Sequence, residues 1–108
     1  MAIVRKSDGS LRYCVDYRQL NKRTVMDSYP PPRIGVCLEA TWFSTFDLRS
    51  GYHQVEMVLI DSDKSTFVTR RGTFRFNVMP FGLCNAPATF QGLMSVAMAG
   101  LDTKVCLV

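Results

Sequence analysis

Asp47 is the side chain whose type and position most directly suggest chemistry. It follows an apolar, β-prone run at residues 42–46, in which most side chains are aromatic. A carboxylate at the end of an apolar strand has to meet a cation or hydrogen-bond donors, because removing it from water alone is costly. Two interpretations are open: Asp47 ligates Mg²⁺, or it caps the backbone of the turn at residues 49–51. The pattern alone favours the cap.

Other catalytic and metal sites are disfavoured by residue spacing. The sequence contains no GxxxxGK[ST] or GxGxxG phosphate loop. Its single histidine, His53, shares one turn with Ser50, where nothing orients the pair for nucleophilic catalysis. The cysteines are isolated, without any C-x-x-C spacing, which argues against structural zinc. We expect reduced, mainly buried thiols at Cys14, Cys37, Cys84 and Cys106.

Two β-hairpins are predicted among the elements that position these residues. Residues 3–4 and 11–17 flank a turn cluster at residues 7–10, and their alternation predicts a hairpin with a basic tip and one basic face. Residues 66–70 and 73–78 flank an Arg-Gly turn and predict a second hairpin.

A long helix and three further strands complete the predicted fold. Asn85 is a candidate N-cap, Pro87 falls in the first turn, and apolar residues recur at helical spacing from Phe90 to Leu101, which predicts a core-facing stripe. Strands are predicted at residues 42–47, 55–60 and 103–108, with a tight turn at 49–52, an extended proline segment at 30–32 and a weak helix at 34–40. This order predicts an α+β fold with a mainly antiparallel sheet.

The charge of the chain is concentrated in its first third. The 108 residues carry a net charge of +4. Residues 1–33 hold seven basic and three acidic side chains, whereas residues 34–108 hold six of each. Such asymmetry suggests a polyanionic partner, and a solvated basic face explains it equally well.

No segment of the sequence predicts export or membrane insertion. The first ten residues include Arg5, Lys6 and Asp8 where a secretory signal needs an apolar stretch. The longest weakly charged segment, residues 77–104, contains prolines and glycines that break it. We therefore expect an intracellular protein, cytoplasmic or nuclear.

Three blocks of sequence resemble the reverse transcriptases of gypsy-type LTR retrotransposons and retroviruses. They are VDYRQLNKRT at residues 15–24, FSTFDLRSGYHQ at 43–54 and VMPFGLCNAPATFQ at 78–91. They occur in the order found in that family, and with the intervening segments the resemblance extends over nearly the whole chain. It implies a fingers-like part at residues 1–24 and 55–80 and a palm-like part at 25–54 and 81–108.

The resemblance implies a metal role for Asp47. In the family, the matching aspartate is the first of three palm carboxylates that hold two Mg²⁺ ions, and the backbone carbonyl at Leu48 is a further ligand. Those ions activate the primer 3′-hydroxyl and neutralise charge on the nucleotide phosphates. The implied activity is RNA-directed DNA polymerisation with dNTPs on a primed RNA or DNA template.

The resemblance also implies contacts to nucleotide and template. Tyr52 would lie under the incoming sugar and exclude a 2′-hydroxyl, and the planar fork of Arg12 would engage phosphate oxygens. The implied nucleotide contacts are Arg5, Lys6, Arg12, Tyr52, Phe81 and Gly82. The implied nucleic-acid contacts are Arg70, Arg71, Arg75 and Gln91, although a solvated hairpin edge explains the arginines equally well.

The sequence departs from the family in two respects. It contains no Tyr-x-Asp-Asp turn, which carries the other two catalytic carboxylates, and nothing in it matches a thumb, a connection or an RNase H domain. The segment at residues 34–41 is also shorter than its family counterpart. We expect the isolated chain to be inactive, because one carboxylate cannot reproduce a two-metal site. The alternatives are a non-catalytic nucleic-acid-binding fragment and a decayed element without a selected role.

Overall fold

The computed structural model describes residues 2–30 and 41–101, and the first of these ranges opens with a hairpin. Strand β1 (Ala2–Arg5) pairs antiparallel with β2 (Leu11–Cys14). The turn between them is closed by Asp8, whose carboxylate accepts hydrogen bonds from the backbone N–H and the hydroxyl of Ser10 at 2.9 and 2.6 Å. Gly9 supplies the positive φ of 81° that this turn requires. The first predicted hairpin is thus confirmed, but its second strand ends at Cys14 rather than at Tyr17.

A short helix that the sequence analysis did not predict follows this hairpin. Helix α1 (Arg18–Asn21) begins where the Asp16 carboxylate accepts the Arg18 backbone N–H at 3.1 Å. The phenol of Tyr17, only 5% exposed, donates to the Ser65 carbonyl at 3.0 Å. A local Asx-type turn and one long-range contact therefore start a helix in a segment whose composition indicates a polar loop.

The strand predicted at residues 42–47 is wrong. These residues form no strand, and the side chains of Trp42 and Phe46 are 91% and 96% exposed. A β-prone run becomes a strand only where another strand pairs with it, and within residues 2–30 and 41–101 none lies beside it.

The strand predicted at residues 55–60 is also largely wrong. Its first half makes a single bridge, Glu56 with Val78, supported by backbone hydrogen bonds of 2.9 and 2.8 Å on either side. Its second half turns into helix α2 (Leu59–Ser62), followed by the 3₁₀ helix Asp63–Ser65. Helical turns closed by the Ser62 and Ser65 hydroxyls replace the expected ladder.

The second hairpin is confirmed but is shorter than predicted. Strand β3 (Phe67–Thr69) pairs antiparallel with β4 (Gly72–Phe74), and Phe67 lies opposite Phe74 with ring centroids 6.0 Å apart. Phe76 packs on Phe67 from the same side at 5.4 Å. The aromatic face of this hairpin therefore matches the alternation in its sequence.

Helix α3 (Ala86–Ala97) is the longest element and confirms the predicted helix. Asn85 occupies the N-cap position and Pro87 lies in the first turn, as predicted. The apolar stripe is only partly covered, because Leu93 and Val96 are 45% and 75% exposed. Among the described residues, the buried apolar side chains are Tyr17, Met79, Pro80 and Ala86.

The described part of the chain supports the α+β fold, with two small antiparallel sheets and one long helix. None of its helices is long and apolar enough to cross a membrane. Cys14 and Cys84 are free thiols that are half-buried. The weak helix at residues 34–40, the strand at 103–108, most of the proline segment, Cys37 and Cys106 lie outside the described residues.

Candidate functional site

Asp47 lies immediately before a tight turn that leads into the 3₁₀ helix Gly51–Gln54. The Leu48 carbonyl accepts the Gly51 N–H at 3.2 Å, and Ser50 has a φ of 53°, an uncommon backbone conformation for a residue with a Cβ. The Asp47 carboxylate accepts none of the hydrogen bonds that close this turn within residues 41–101. The capping interpretation is therefore wrong, and Asp47 is left exposed.

The oxygen ligands that this turn offers fit one side of a Mg²⁺ coordination shell. Asp47 offers carboxylate oxygens, and Leu48 offers the second lone pair of a carbonyl that already accepts one N–H. Mg²⁺ in nucleotide enzymes is commonly held by one or two carboxylates, with water and substrate phosphates completing its shell. In the ranges that the structure describes, no group of three or more His, Cys, Asp or Glu side chains comes together to hold a metal.

Tyr52 lies at the centre of an aromatic cluster beside this turn. Its ring centroid is 5.1 Å from that of Phe81 and 5.5 Å from that of Phe90. His53 packs edge-on against Phe81 at 5.2 Å, so its role here is packing. Offset and edge-on geometries such as these are the favourable ones for aromatic pairs.

Glycine at position 51 lets the 3₁₀ helix approach α3. A Cβ built on Gly51 would lie 2.8 Å from the ring tip of Phe90, closer than real Cβ atoms come. Phe90 was predicted only as part of a core stripe, yet it is the side chain against which the Tyr52 turn is seated. The helical spacing indicates that Phe90 belongs to an apolar stripe, but it does not indicate which residues pack against that stripe.

Arg12 joins the aromatic cluster from the first hairpin. Its guanidinium carbon lies 5.3 Å from the centroid of the Phe81 ring, a cation–π arrangement. Arg12, Tyr52 and Phe81 belong to separate sequence segments, and the fold brings them to one place. A fixed positive charge beside an aromatic surface can receive a phosphate on one side and a sugar or base on the other.

Gly82 follows Phe81 of this cluster and packs against the segment that contains Tyr17 and Asn21. Its φ is +98°, and a Cβ there would contact the Tyr17 ring at 3.5 Å. The Asn21 amide donates to the Gly82 carbonyl at 2.8 Å, and its oxygen accepts the Cys84 N–H at 3.0 Å. Sequence reasoning missed Asn21, because its partners are 61 and 63 residues away and nothing local indicates them.

Asn85 caps α3 by position but not by its side chain. Its amide donates to the Val25 carbonyl at 2.8 Å, and its oxygen accepts the Asp27 N–H at 3.0 Å. Side-chain capping at the start of α3 was therefore a wrong expectation. The side chain instead anchors the segment at residues 25–27 to the start of the helix.

The structure separates Arg5 and Lys6 from Arg12. Arg5 lies opposite Leu11, whereas Arg12 lies opposite Val4, so Arg5 and Arg12 project from opposite faces of the hairpin. Lys6 lies in the turn beyond β1, where its backbone bonds to Ser10 and Gly9. Both side chains are exposed, and no described contact joins them to the aromatic cluster.

The predicted nucleic-acid contacts fall into three different environments. Arg70 and Arg71 are exposed at the turn of the second hairpin. Arg75 is ion-paired with Asp63. Gln91 is half-buried on α3 and has an interaction there.

Two pKa shifts support structural roles for residues close to the site. The Arg18 guanidinium hydrogen-bonds to the Asp16 carboxylate and holds the pKa of that carboxyl well below its usual range. Asp16 is therefore an ion-pair partner rather than a proton-transfer group. Burial raises the pKa of the Tyr17 phenol above its usual 10.0. Tyr17 is therefore a neutral hydrogen-bond donor at physiological pH.

One family model and several known proteins are similar to this chain. The family model described as reverse transcriptase (RNA-dependent DNA polymerase) matches residues 4–108. An RNA-directed DNA polymerase homolog of Oenothera berteroana is 53% identical over 90 residues, which are 80% of this chain and 63% of that protein.

Two Drosophila melanogaster proteins are also similar. The retrovirus-related Pol polyprotein from transposon 412 is 42% identical over 95 residues, 84% of this chain and 8% of that protein. The Pol polyprotein from transposon gypsy is 38% identical over 101 residues, 90% of this chain and 10% of that protein. The chain thus spans less than two thirds of the length of each of these relatives. Because the family model matches nearly the whole chain, this protein belongs to the reverse transcriptase (RNA-dependent DNA polymerase) family.

Proposed function

We propose that this chain forms part of the fingers and palm of an RNA-directed DNA polymerase from a gypsy-like retrotransposon, and that it carries part of the dNTP site. The observation that supports this most strongly is the convergence of Arg12, Tyr52 and Phe81, which come from three separate segments. We assign residues 1–24 and 55–80 to the fingers and residues 25–54 and 81–108 to the palm.

In this proposal each residue of the cluster has a distinct task. The Arg12 fork binds triphosphate oxygens, and its packing on Phe81 limits the conformational entropy lost on binding. The Tyr52 ring, which packs against both Phe81 and Phe90, would lie under the incoming sugar, where its bulk excludes a 2′-hydroxyl. Gly82 lets the backbone approach the nucleotide closely.

Asp47 and the Leu48 carbonyl would hold Mg²⁺ on the open side of this cluster. When bound, the metal supplies charge neutralisation of the phosphates and activation of the attacking hydroxyl. The exposure of Asp47 suits this task, because a hydrated ion can reach an exposed carboxylate. Template and primer, RNA or DNA, are the proposed partners.

Paramagnetic NMR on the purified 108-residue chain tests the metal and nucleotide assignment. Mn²⁺ with dTTP should broaden the amide signals of residues 47–52 before all others, and Asp47→Asn should abolish this effect. Asp61→Asn is the matched control, since Asp61 is half-buried and pairs with Lys64 elsewhere. Broadening centred elsewhere, or unchanged by Asp47→Asn, would refute the assignment.

A primer-extension assay addresses the activity of these 108 residues alone. We expect no product with Mg²⁺ and dNTPs, because Asp47 cannot hold two ions without further carboxylates. Extension by the purified chain that Asp47→Asn eliminates would overturn this expectation.

A second candidate function, weak nucleic-acid binding, is favoured by the exposed arginines of the second hairpin. Arg70 and Arg71 have no acidic partner in the part of the chain that the structure describes, unlike Arg75. Affinity for single-stranded DNA should fall steeply with salt, and Arg70→Ala with Arg71→Ala should reduce the salt slope by about 1.4. Arg18→Ala, which removes an arginine paired to Asp16, is the control. A salt slope that the double variant leaves unchanged would exclude this surface.

A further inference from the structure

A contact on the far side of the aromatic cluster has no role in the functions proposed above. The loop that follows Met79 carries Phe81 and Gly82, and the side chain of Asn21, from the end of α1, holds its backbone. Both ends of the Asn21 amide are used: the nitrogen donates to the Gly82 carbonyl at 2.8 Å and the oxygen accepts the Cys84 N–H at 3.0 Å. A two-point contact fixes the orientation of the loop as well as its distance.

The same loop leans on the residues that precede Asn21. Gly82 lies against the Tyr17 ring, where an added Cβ would be 3.5 Å from Cδ2 of the ring and 3.7 Å from the Val15 carbonyl. Tyr17 is itself buried and tied to Ser65. The segment from Val15 to Asn21 therefore packs against Gly82, and the Asn21 amide holds this loop by hydrogen bonds.

The hydrogen bonds of Asn21 affect the proposed nucleotide site through Phe81. The Phe81 ring contacts both Arg12, at 5.3 Å, and Tyr52, at 5.1 Å. A shift of the loop would move the Phe81 ring away from both groups, since Phe81 is next to the residue that Asn21 holds. Asn21 itself touches neither Arg12 nor Tyr52 through any described hydrogen bond.

We propose that Asn21 is a positioning residue for the nucleotide site, whose side-chain amide sets the place of Phe81 between Arg12 and Tyr52 by holding the backbone of Gly82 and Cys84. This inference rests on the proposed dNTP site for its consequence in binding. Its structural part, the placement of Phe81, stands independently of any nucleotide.

Solution NMR of the 108-residue chain measures both parts. The Phe81 ring current should shift the Arg12 δ protons upfield, and NOEs should connect the Tyr52 and Phe81 rings. Asn21→Ala should reduce this upfield shift, weaken these NOEs and lower the affinity for dTTP with Mg²⁺ about tenfold, as expected for the loss of two hydrogen bonds. Asn21→Asp keeps the acceptor for Cys84 but sets a carboxylate against the Gly82 carbonyl, so it should not restore the contacts.

Two asparagine variants separate positioning from a general loss of stability. Asn85→Ala removes three side-chain hydrogen bonds, with Val25, Asp27 and the Cys84 thiol, so it should destabilise the chain at least as much while leaving the Arg12 upfield shift in place. Asn77→Ala removes an exposed side chain without a described hydrogen bond and should change neither measurement.

The outcomes distinguish the two proposals. If the unmodified chain shows no dTTP titration, the proposed site fails, and the Arg12 shift still decides the role of Asn21. If Asn21→Ala keeps the Arg12 shift and the Tyr52–Phe81 NOEs, or if Asn85→Ala loses them equally, the positioning role of Asn21 is overturned.

Discussion

At the scale of single residues, side chains that are distant in sequence connect the two halves of the described chain. Tyr17 and Asn21 precede the Pro-rich segment, yet their polar atoms bond to Ser65, Gly82 and Cys84 far along the chain. Ser65 is 1% exposed, and its hydroxyl and carbonyl are both hydrogen-bonded. A buried polar group with a partner is stabilising relative to the same group left without one. These contacts therefore fix the positions of the hairpins and loops relative to one another.

Removing the Tyr17 hydroxyl should therefore destabilise the fold. Tyr17→Phe leaves the buried Ser65 carbonyl without this donor, and we expect a loss of about 1 to 3 kcal/mol in the free energy of unfolding. Urea denaturation followed by circular dichroism measures it. Tyr13→Phe, at a side chain 66% exposed, is the control and should change stability by less than about 0.5 kcal/mol.

The same tyrosine predicts the alkaline pH dependence of stability. Burial raises the pKa of Tyr17 above its usual 10.0, so the folded state binds this proton more tightly than the unfolded state does. The resulting stabilisation is complete below pH 10 and is lost as pH rises through the folded pKa. Tyr17→Phe should flatten this alkaline limb, whereas an identical limb in the variant would show that another group causes it.

At the scale of elements, the Asp47 turn packs on α3 because its backbone at Gly51 can approach the helix closely, and local propensity does not determine this contact. The turn depends on Ser50 in a left-handed conformation and on Gly51 lying against the tip of the Phe90 ring. Sequence periodicity predicts α3 but not what lies against it, because the 3₁₀ helix Gly51–Gln54 is too short to have a period of its own.

Two glycine substitutions test this account. Gly51→Ala places a methyl group 2.8 Å from Phe90 and should cost about 1 to 3 kcal/mol through overpacking. Gly92→Ala, inside α3, would meet Tyr29 only at an ordinary 3.6 Å and should stabilise the chain by about 0.5 to 1 kcal/mol. Thermal or urea unfolding of both variants gives opposite signs if the packing is as described, and equal signs would contradict it.

At the scale of the whole molecule, the chain is less compact than a typical domain of its length, and few side chains are buried in the ranges that the structure describes. Its radius of gyration is 16.8 Å, compared with about 13 Å for a compact domain of this length. Large apolar side chains are exposed in several places, with Trp42 and Phe46 the most extreme. Exposed apolar surface of this kind promotes association.

The single tryptophan reports this exposure directly. Trp42 is 91% exposed, so its fluorescence emission should resemble that of tryptophan in water and should shift little when guanidinium unfolds the chain. Acrylamide should quench it nearly as well before unfolding as after. A blue-shifted emission in dilute, monomeric protein would show that Trp42 is covered.

Much of the fold and part of the site were predictable because their signals are local. Both hairpins follow from alternation around turn residues, and α3 follows from helical spacing with Asn85 and Pro87 at its start. The strands predicted at residues 42–47 and 55–60 do not form, since a strand exists only with a partner, and β-propensity does not indicate whether one is present.

By itself the sequence determined which residue types are available and in what order: a carboxylate after an aromatic run, a basic first third, two hairpins, one long helix and three blocks that resemble one family. Only the tertiary structure decided that Arg12, Tyr52 and Phe81 meet, that Asp47 does not cap its turn, and that Asn21 holds the Phe81 loop. The physical reason is that these contacts join atoms across long stretches of chain, where neither propensity nor periodicity specifies the partner.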